Sequence, residues 1–261
     1  MEATLVSLLR SQAHRVPQRP VALWGKEAPT YLEAYSLACV LARYFSEIAD
    51  LSSDDTVLLS SPDSMGQFCA LSAIQACGAK AVLAPVGVPR EVLAEVIAGY
   101  RPRVALVADP QTCACVREGC SDIPVFSMGA SEVDAPSMGY MADQAIGLID
   151  EVYLKIEDFA LEEERDAPVA FIDARGRREE ASTSELALEG ARLVADKDLA
   201  EGARVVIAHP FSTREGVVRL HAAFSIGATI VLDGRGGPST KMQRPGGLLP
   251  EDPELAQGDG I

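Results

Sequence analysis

The residues best placed to do chemistry lie between 166 and 194. An apolar run, Pro168-Val-Ala-Phe-Ile-Asp173, reads as a buried strand. It leads into the polar stretch Ala174-Arg-Gly-Arg-Arg-Glu-Glu-Ala-Ser182 and then into a helical pattern. Strand, loop and helix in that order commonly cradle a phosphate, because glycines let backbone N–H groups converge and a helix N-terminus favours an anion. Gly176, Ser182 and Ser184 fit such a cradle, as one glycine free to turn and two hydroxyls at the helix start. The remaining residues do not fit. The loop has one glycine and no lysine, and Glu179 and Glu180 bring negative charge where a phosphate would lie. Arg175, Arg177 and Arg178 could meet an anion, but the glutamates offset much of their field. Helix N-capping with Glu185 explains Ser182, Thr183 and Ser184 more simply than phosphate binding does.

Other reactive side chains offer less. His209 and His221 have no carboxylate or cysteine at a telling spacing, and His221 shares a helical stripe with Val217, Val218 and Phe224. Cys113, Cys115 and Cys120 form C-x-C-x4-C, which departs from the common C-x2-C zinc spacing and lacks a nearby histidine. These cysteines read as reduced thiols, and Cys39, Cys69 and Cys77 read as small core residues. No Gly-x-Ser-x-Gly elbow or metal-binding carboxylate cluster occurs. The residues therefore nominate no catalytic group and no metal site.

The elements that must position the loop alternate between helical and strand patterns. Helices are expected over 4–14, 31–48, 64–77, 89–100, 111–118, 149–161, 183–195 and 214–226. Strands are expected over 56–60, 81–85, 104–108, 124–126, 168–173, 204–208 and 228–232. Short apolar strands between helices imply an α/β fold, with mostly parallel sheets flanked by helices on both faces. A weak repeat, helix then Gly-Ala then strand, occurs at Gly78-Ala79 and again at Gly227-Ala228; each glycine is expected in a left-handed helix cap. Four regions follow: a first α/β subdomain over 1–127, a linker with a helix over 128–165, a second, partial subdomain over 166–235, and a flexible Gly/Pro-rich tail over 236–261.

These pieces, in this order, resemble the N-terminal region of the adenylate-forming enzymes: acyl-CoA synthetases, luciferases and peptide-synthetase adenylation domains. Pro20-Val-Ala-Leu-Trp24 is similar to the family's first strand, and Thr30-Tyr-Leu-Glu-Ala34 to its "T-Y-x-E-L" helix start. Asp55-Thr-Val-Leu-Leu-Ser60, Ser61-Pro-Asp-Ser64 and Gly78-Ala-Lys-Ala-Val-Leu-Ala-Pro85 continue the resemblance. Pro210-Phe211, Gly216 and Gly227-Ala-Thr-Ile-Val-Leu232 resemble its "P-x-x-H-x-x-G…G-A-T-V-V-L" stretch, with Thr213 at the histidine position. The resemblance implies a Ser/Thr/Gly-rich loop ending in Pro-Lys-Gly, which holds the ATP phosphates. Asp173-Ala-Arg-Gly-Arg-Arg-Glu-Glu-Ala-Ser182 stands there instead. The family's adenine- and ribose-binding motifs, and its C-terminal domain with a catalytic lysine, have no counterpart in this sequence, which on this resemblance is truncated.

A catalytically inactive binding or assembly module near acyl- or aminoacyl-activating enzymes is the expectation. The alternatives are a fragment or split subunit of an AMP-forming acyl-CoA or amino-acid ligase, and a small acyl-ligand binder. No cofactor is expected, with ATP and magnesium used only if ligase function persists. A protein partner or a homodimer is expected, since a partial scaffold exposes apolar surface. The formal charge of −15 argues against nucleic acid and anionic membranes as partners. No secretory signal and no apolar run of spanning length is visible, so a cytoplasmic location is expected.

Overall fold

In the computed structural model, residues 4–23, 28–129, 132–147 and 166–232 are described. Helix starts follow the capping chemistry of the sequence. Thr4 caps α1 (Leu5–Arg15), Ser64 caps α3 (Met65–Ala76) and Asp109 caps α5 (Pro110–Gly119). Thr30 and Glu33 form a reciprocal capping box at α2 (Tyr31–Arg43). The expected helix over 31–48 changes character at its end, where Tyr44–Ile48 forms a π-helical turn.

Among the described residues the strands form two sheets. The larger comprises β2 (Thr56–Ser60), β3 (Lys80–Leu83), β4 (Val104–Val107), β5 (Val125–Ser127), β6 (Val169–Ile172) and β7 (Arg178–Ala181), in the order β5-β4-β2-β3-β6-β7. All its pairings are parallel except β6 with β7. Side chains alternate between its faces. Val57, Leu59, Ala81, Leu83, Val169 and Phe171 face the large core shared with α1, α2 and α3. Leu58, Val82, Ala105, Ala170 and Ile172 face α4 (Arg90–Tyr100) and α5. Burial on both faces explains why these strands read as unbroken apolar runs. Each large apolar side chain so buried contributes about 1.5–3 kcal/mol.

The smaller sheet is β1 (Ala22–Leu23), β9 (Thr229–Leu232) and β8 (Arg204–Ile207), parallel throughout, in the order β1-β9-β8. Strand pairing crosses residue 166 in both directions. β6 joins β3 of the first expected subdomain, and β1 joins β9 of the second. The two sheets share one core, in which Phe68 of α3 packs edge-on against Phe211 and against Phe224 of α8 (Arg214–Ser225). Polar links also tie the halves together. Tyr31 OH donates to Ala228 O at 2.6 Å, and Phe211 N donates to a carboxylate oxygen of Asp63 at 2.7 Å. Gly78 and Gly227 have φ of 73° and 62°, as the helix-cap reading requires, and the alanine after each is fully buried.

Two elements correct the sequence reading. In the expected linker the helix falls at 149–161 and residues 128–148 read as loop or linker, yet α6 (Met138–Gly147) lies there. Its Met141 is fully buried, and Met138 packs around Gly66 of α3, so tertiary packing rather than periodicity holds it. The second half of the expected polar loop is strand β7. Strand β7 is a sheet edge, where backbone bonds suffice for pairing and charged side chains face solvent. The helix expected over 149–161 and the tail over 236–261 lie outside the described residues. No helix among the described residues is long and apolar enough to cross a membrane.

Candidate functional site

A groove of about 560 Å³ lies beyond the carboxyl ends of β3, β6 and β8. Ligands of open α/β sheets bind in that kind of crevice, and the volume falls within the usual range for small-molecule sites. Its apolar wall comes from Pro85, Phe171, Ile172 and Pro210. Its polar wall comes from the β6–β7 hairpin, through Asp173, Arg177, Arg178 and Glu179, and from Ser212, Thr213 and Arg214 at the start of α8.

The hairpin turn is the part that sequence reading nominated for phosphate, and its donors are already in use. One carboxylate oxygen of Asp173 accepts from the backbone N–H of Arg175 at 2.8 Å and of Arg177 at 2.9 Å. The other accepts from Arg177 Nε at 2.5 Å. Gly176 N donates to Asp173 O at 3.0 Å, and Asp173 N to Arg177 O at 3.1 Å. The backbone and side-chain bonds from Arg177 hold the Asp173 carboxyl below its ordinary range. An aspartate of the chain itself therefore sits in the nest that an anionic ligand would need. Gly176 has φ of 79°, which suits glycine, and a side chain there would meet Val92 of α4. The Asp-Ala-Arg-Gly order carried this signal, since aspartate followed by glycine favours an Asx-type turn.

Gly176, Ser182 and Ser184 are not brought together. Strand β7 separates the glycine from the serines, a run of about 14 Å at 3.4 Å per residue. Ser182 caps α7 (Thr183–Asp196): its hydroxyl accepts from Glu185 N at 3.1 Å while Glu185 accepts from Ser182 N at 2.9 Å. Ser184 Oγ donates to Asp166 at 2.8 Å and lies 2.9 Å from Ser182 Oγ. Their hydroxyls serve the helix start, and none of the three residues lines the groove.

The remaining charges are sorted among elements distant in sequence. Glu180 turns away from the groove, accepting from Lys80 Nζ at 3.1 Å and from Tyr100 OH at 3.1 Å. The Arg178 guanidinium lies over the Tyr100 ring, 5.3 Å from its centre. Arg214 is held on one edge by Glu189 of α7, with Nη2 to oxygen at 2.5 Å and Nε at 3.3 Å. Its Nη1 meets Glu179 at 3.0 Å. The hydrogen bond from Arg214 depresses the Glu189 carboxyl and raises the guanidinium in turn. Sequence reading missed this trio because its members lie on β7, α7 and α8. It also gave His209 no partner, yet His209 Nε2 lies 3.0 Å from Glu215. His221 is buried in α8.

Comparison with known proteins agrees with this architecture. No protein-family model and no curated protein matches the chain. Solved structures match it closely in shape. They include the luciferase-like enzyme of the mealworm Zophobas morio (14% identity, TM-score 0.71, 88% of this chain and 54% of that one). A red-emitting luciferase of Phrixothrix hirtus matches at 13% identity and TM-score 0.74, over 89% and 47% of the two chains. The O-succinylbenzoate coenzyme A synthetase of Bacillus subtilis, solved with ATP and magnesium, matches at 15% identity and TM-score 0.64, over 89% and 58%. The fold is that of the N-terminal subdomains of adenylate-forming enzymes. The chain spans about half the length of these structures.

Proposed function

We propose that this protein is a non-catalytic binding or assembly module built on the adenylate-forming fold, working in the cytoplasm beside acyl- or aminoacyl-activating enzymes. The observation that carries the proposal is Asp173. Its carboxylate takes the Arg175 and Arg177 amides, the groups best placed to receive a nucleotide phosphate. A phosphate entering that turn would have to expel a carboxylate bonded three times over, and the turn supplies no lysine to offset the added charge. These residues do not fit ATP with magnesium, so no adenylation step is routed through them. Pyrophosphate exchange with ATP and a panel of carboxylic and amino acids tests the proposal. Absence of exchange is expected; turnover by this chain alone would sink it.

A second reading has its own support. Because the chain spans about half the length of the ligases it resembles in shape, it is alternatively one piece of an AMP-forming acid ligase. Co-purification of a chain that restores pyrophosphate exchange would favour this reading over the first.

A further inference from the structure

The groove has a second polar wall, where a hydroxyl and two backbone N–H groups are unpartnered among the described residues and a guanidinium is paired with carboxylates. Ser212 is 4% exposed, lines the groove, and its hydroxyl has no hydrogen-bond partner among the described residues. Immediately after it, Thr213 caps α8, accepting from Gly216 N at 3.2 Å. The backbone N–H groups of Arg214 and Glu215, in the first turn, have no partner among the described residues. The 12-residue helix adds its positive N-terminal field at the same place. The Arg214 guanidinium completes the wall. Glu189 grips one edge and fixes its orientation, while among the described residues Nη1 on the other edge meets only Glu179, whose side chain is 56% exposed and can swing into solvent.

From this geometry we infer that the groove binds an organic phosphate or sulfate monoester, its anionic head on Ser212, the first turn of α8 and Arg214 Nη1, and its apolar body against Phe171, Ile172 and Pro210. Donors from a hydroxyl, two backbone amides and a guanidinium suit a head with three oxygens better than a two-oxygen carboxylate. The apolar wall selects against a free inorganic ion, which gains nothing from it. Glu179 acts as an internal competitor: it occupies Nη1 when the groove is empty and is displaced when the head arrives. The anion site has in effect moved from the hairpin, where Asp173 blocks it, to the facing helix. This inference names a ligand class for the binding module proposed above and rests on that reading.

Phenyl phosphate is a suitable probe, with inorganic phosphate and benzoate as comparisons, each titrated into the full chain by calorimetry. Phenyl phosphate is expected to bind about tenfold more tightly than either comparison, since each lacks one of the two features the groove recognises. Glu179→Gln weakens the hold on Nη1 to a neutral hydrogen bond and removes a like charge, so affinity should rise about tenfold. Ser212→Ala should weaken binding several-fold, and Arg214→Gln by about tenfold or more. Because Arg214 also bridges three elements, Ser212→Ala supplies a variant whose fold is not at issue. Failure of phenyl phosphate to bind both the wild type and Glu179→Gln overturns the inference. So does binding that ignores Ser212→Ala, or benzoate binding as tightly as phenyl phosphate. Pyrophosphate exchange on the same preparation separates the two claims: exchange refutes the non-catalytic reading alone, whereas loss of phenyl phosphate binding without exchange refutes the groove alone.

Discussion

Gly216 offers a sharp test of how the α8 start is built. A Cβ at this position would lie 2.0 Å from the carbonyl oxygen of Pro210 and 2.6 Å from its carbon, both backbone atoms of the segment that carries Ser212 and Thr213. No rotamer change can relieve that overlap. Gly216→Ala must push the 209–213 segment away from α8 or unwind the first turn. Overpacking of this kind costs about 1–3 kcal/mol, and a backbone clash belongs at the upper end. Alanine returns up to about 1 kcal/mol of helix propensity. The net expectation is a loss of about 2 kcal/mol, which for a chain of this size lowers Tm by about 4–8 °C. Thermal melts followed by circular dichroism read the shift. Gly139→Ala in α6 is the control, since its Cβ would meet only the rotatable Ser137 hydroxyl at 3.3 Å. It should be neutral or mildly stabilising. A Gly216→Ala protein as stable as wild type would refute the close approach of Pro210 to α8, and with it the geometry of the groove's second wall.

Three further outcomes follow from the polar contacts. Burial raises the Asp63 carboxyl, so its ionised form opposes folding at neutral pH, and stability gains as pH falls through the raised folded value. Asp63→Asn keeps an acceptor for Phe211 N and should be neutral or stabilising at pH 7, whereas Asp63→Ala should cost about 1–3 kcal/mol in urea titrations by stranding that N–H. Glu189 behaves oppositely: its folded value is depressed below the ordinary 4.5, so its contribution is complete above that value and lost as pH falls through the lower one. The acid side of a Tm-against-pH profile should therefore flatten in Arg214→Gln, and an unchanged profile would contradict the Arg214–Glu189 pairing. Ser182→Ala should cost about 1 kcal/mol through the α7 cap and leave phenyl phosphate affinity unaltered. A parallel loss of affinity would return Ser182 to the binding site.

The fold was readable where burial on both faces wrote itself into composition. Strands β2, β4, β6 and β9 appear in the sequence as uninterrupted apolar runs because solvent touches neither side. Strand β7 was not readable, since an edge strand can pair through its backbone while Arg178, Glu179 and Glu180 stay exposed. Helix α6 was hidden for another reason: Met and Gly carry little periodic signal, and Met141 is buried in a core built with α2 and the π-helical turn Tyr44–Ile48. The candidate site divides in the same way. That the 174–182 stretch has one glycine, no lysine and two glutamates was evident from the sequence. That Asp173 fills the turn, and that Glu179, Glu189 and Arg214 converge, depends on hairpin and helix packing across 35 residues of chain.

The central claim, that the hairpin turn holds its own carboxylate in place of a nucleotide phosphate, is tested most directly at the amides of that turn. In ¹⁵N–¹H spectra of the full chain, the Arg175, Gly176 and Arg177 resonances can be followed as Mg·ATP is added to millimolar concentration. The account predicts that these three signals stay in place. Saturable shifts at Arg175 and Arg177, signalling release of Asp173 by a bound phosphate, would contradict it.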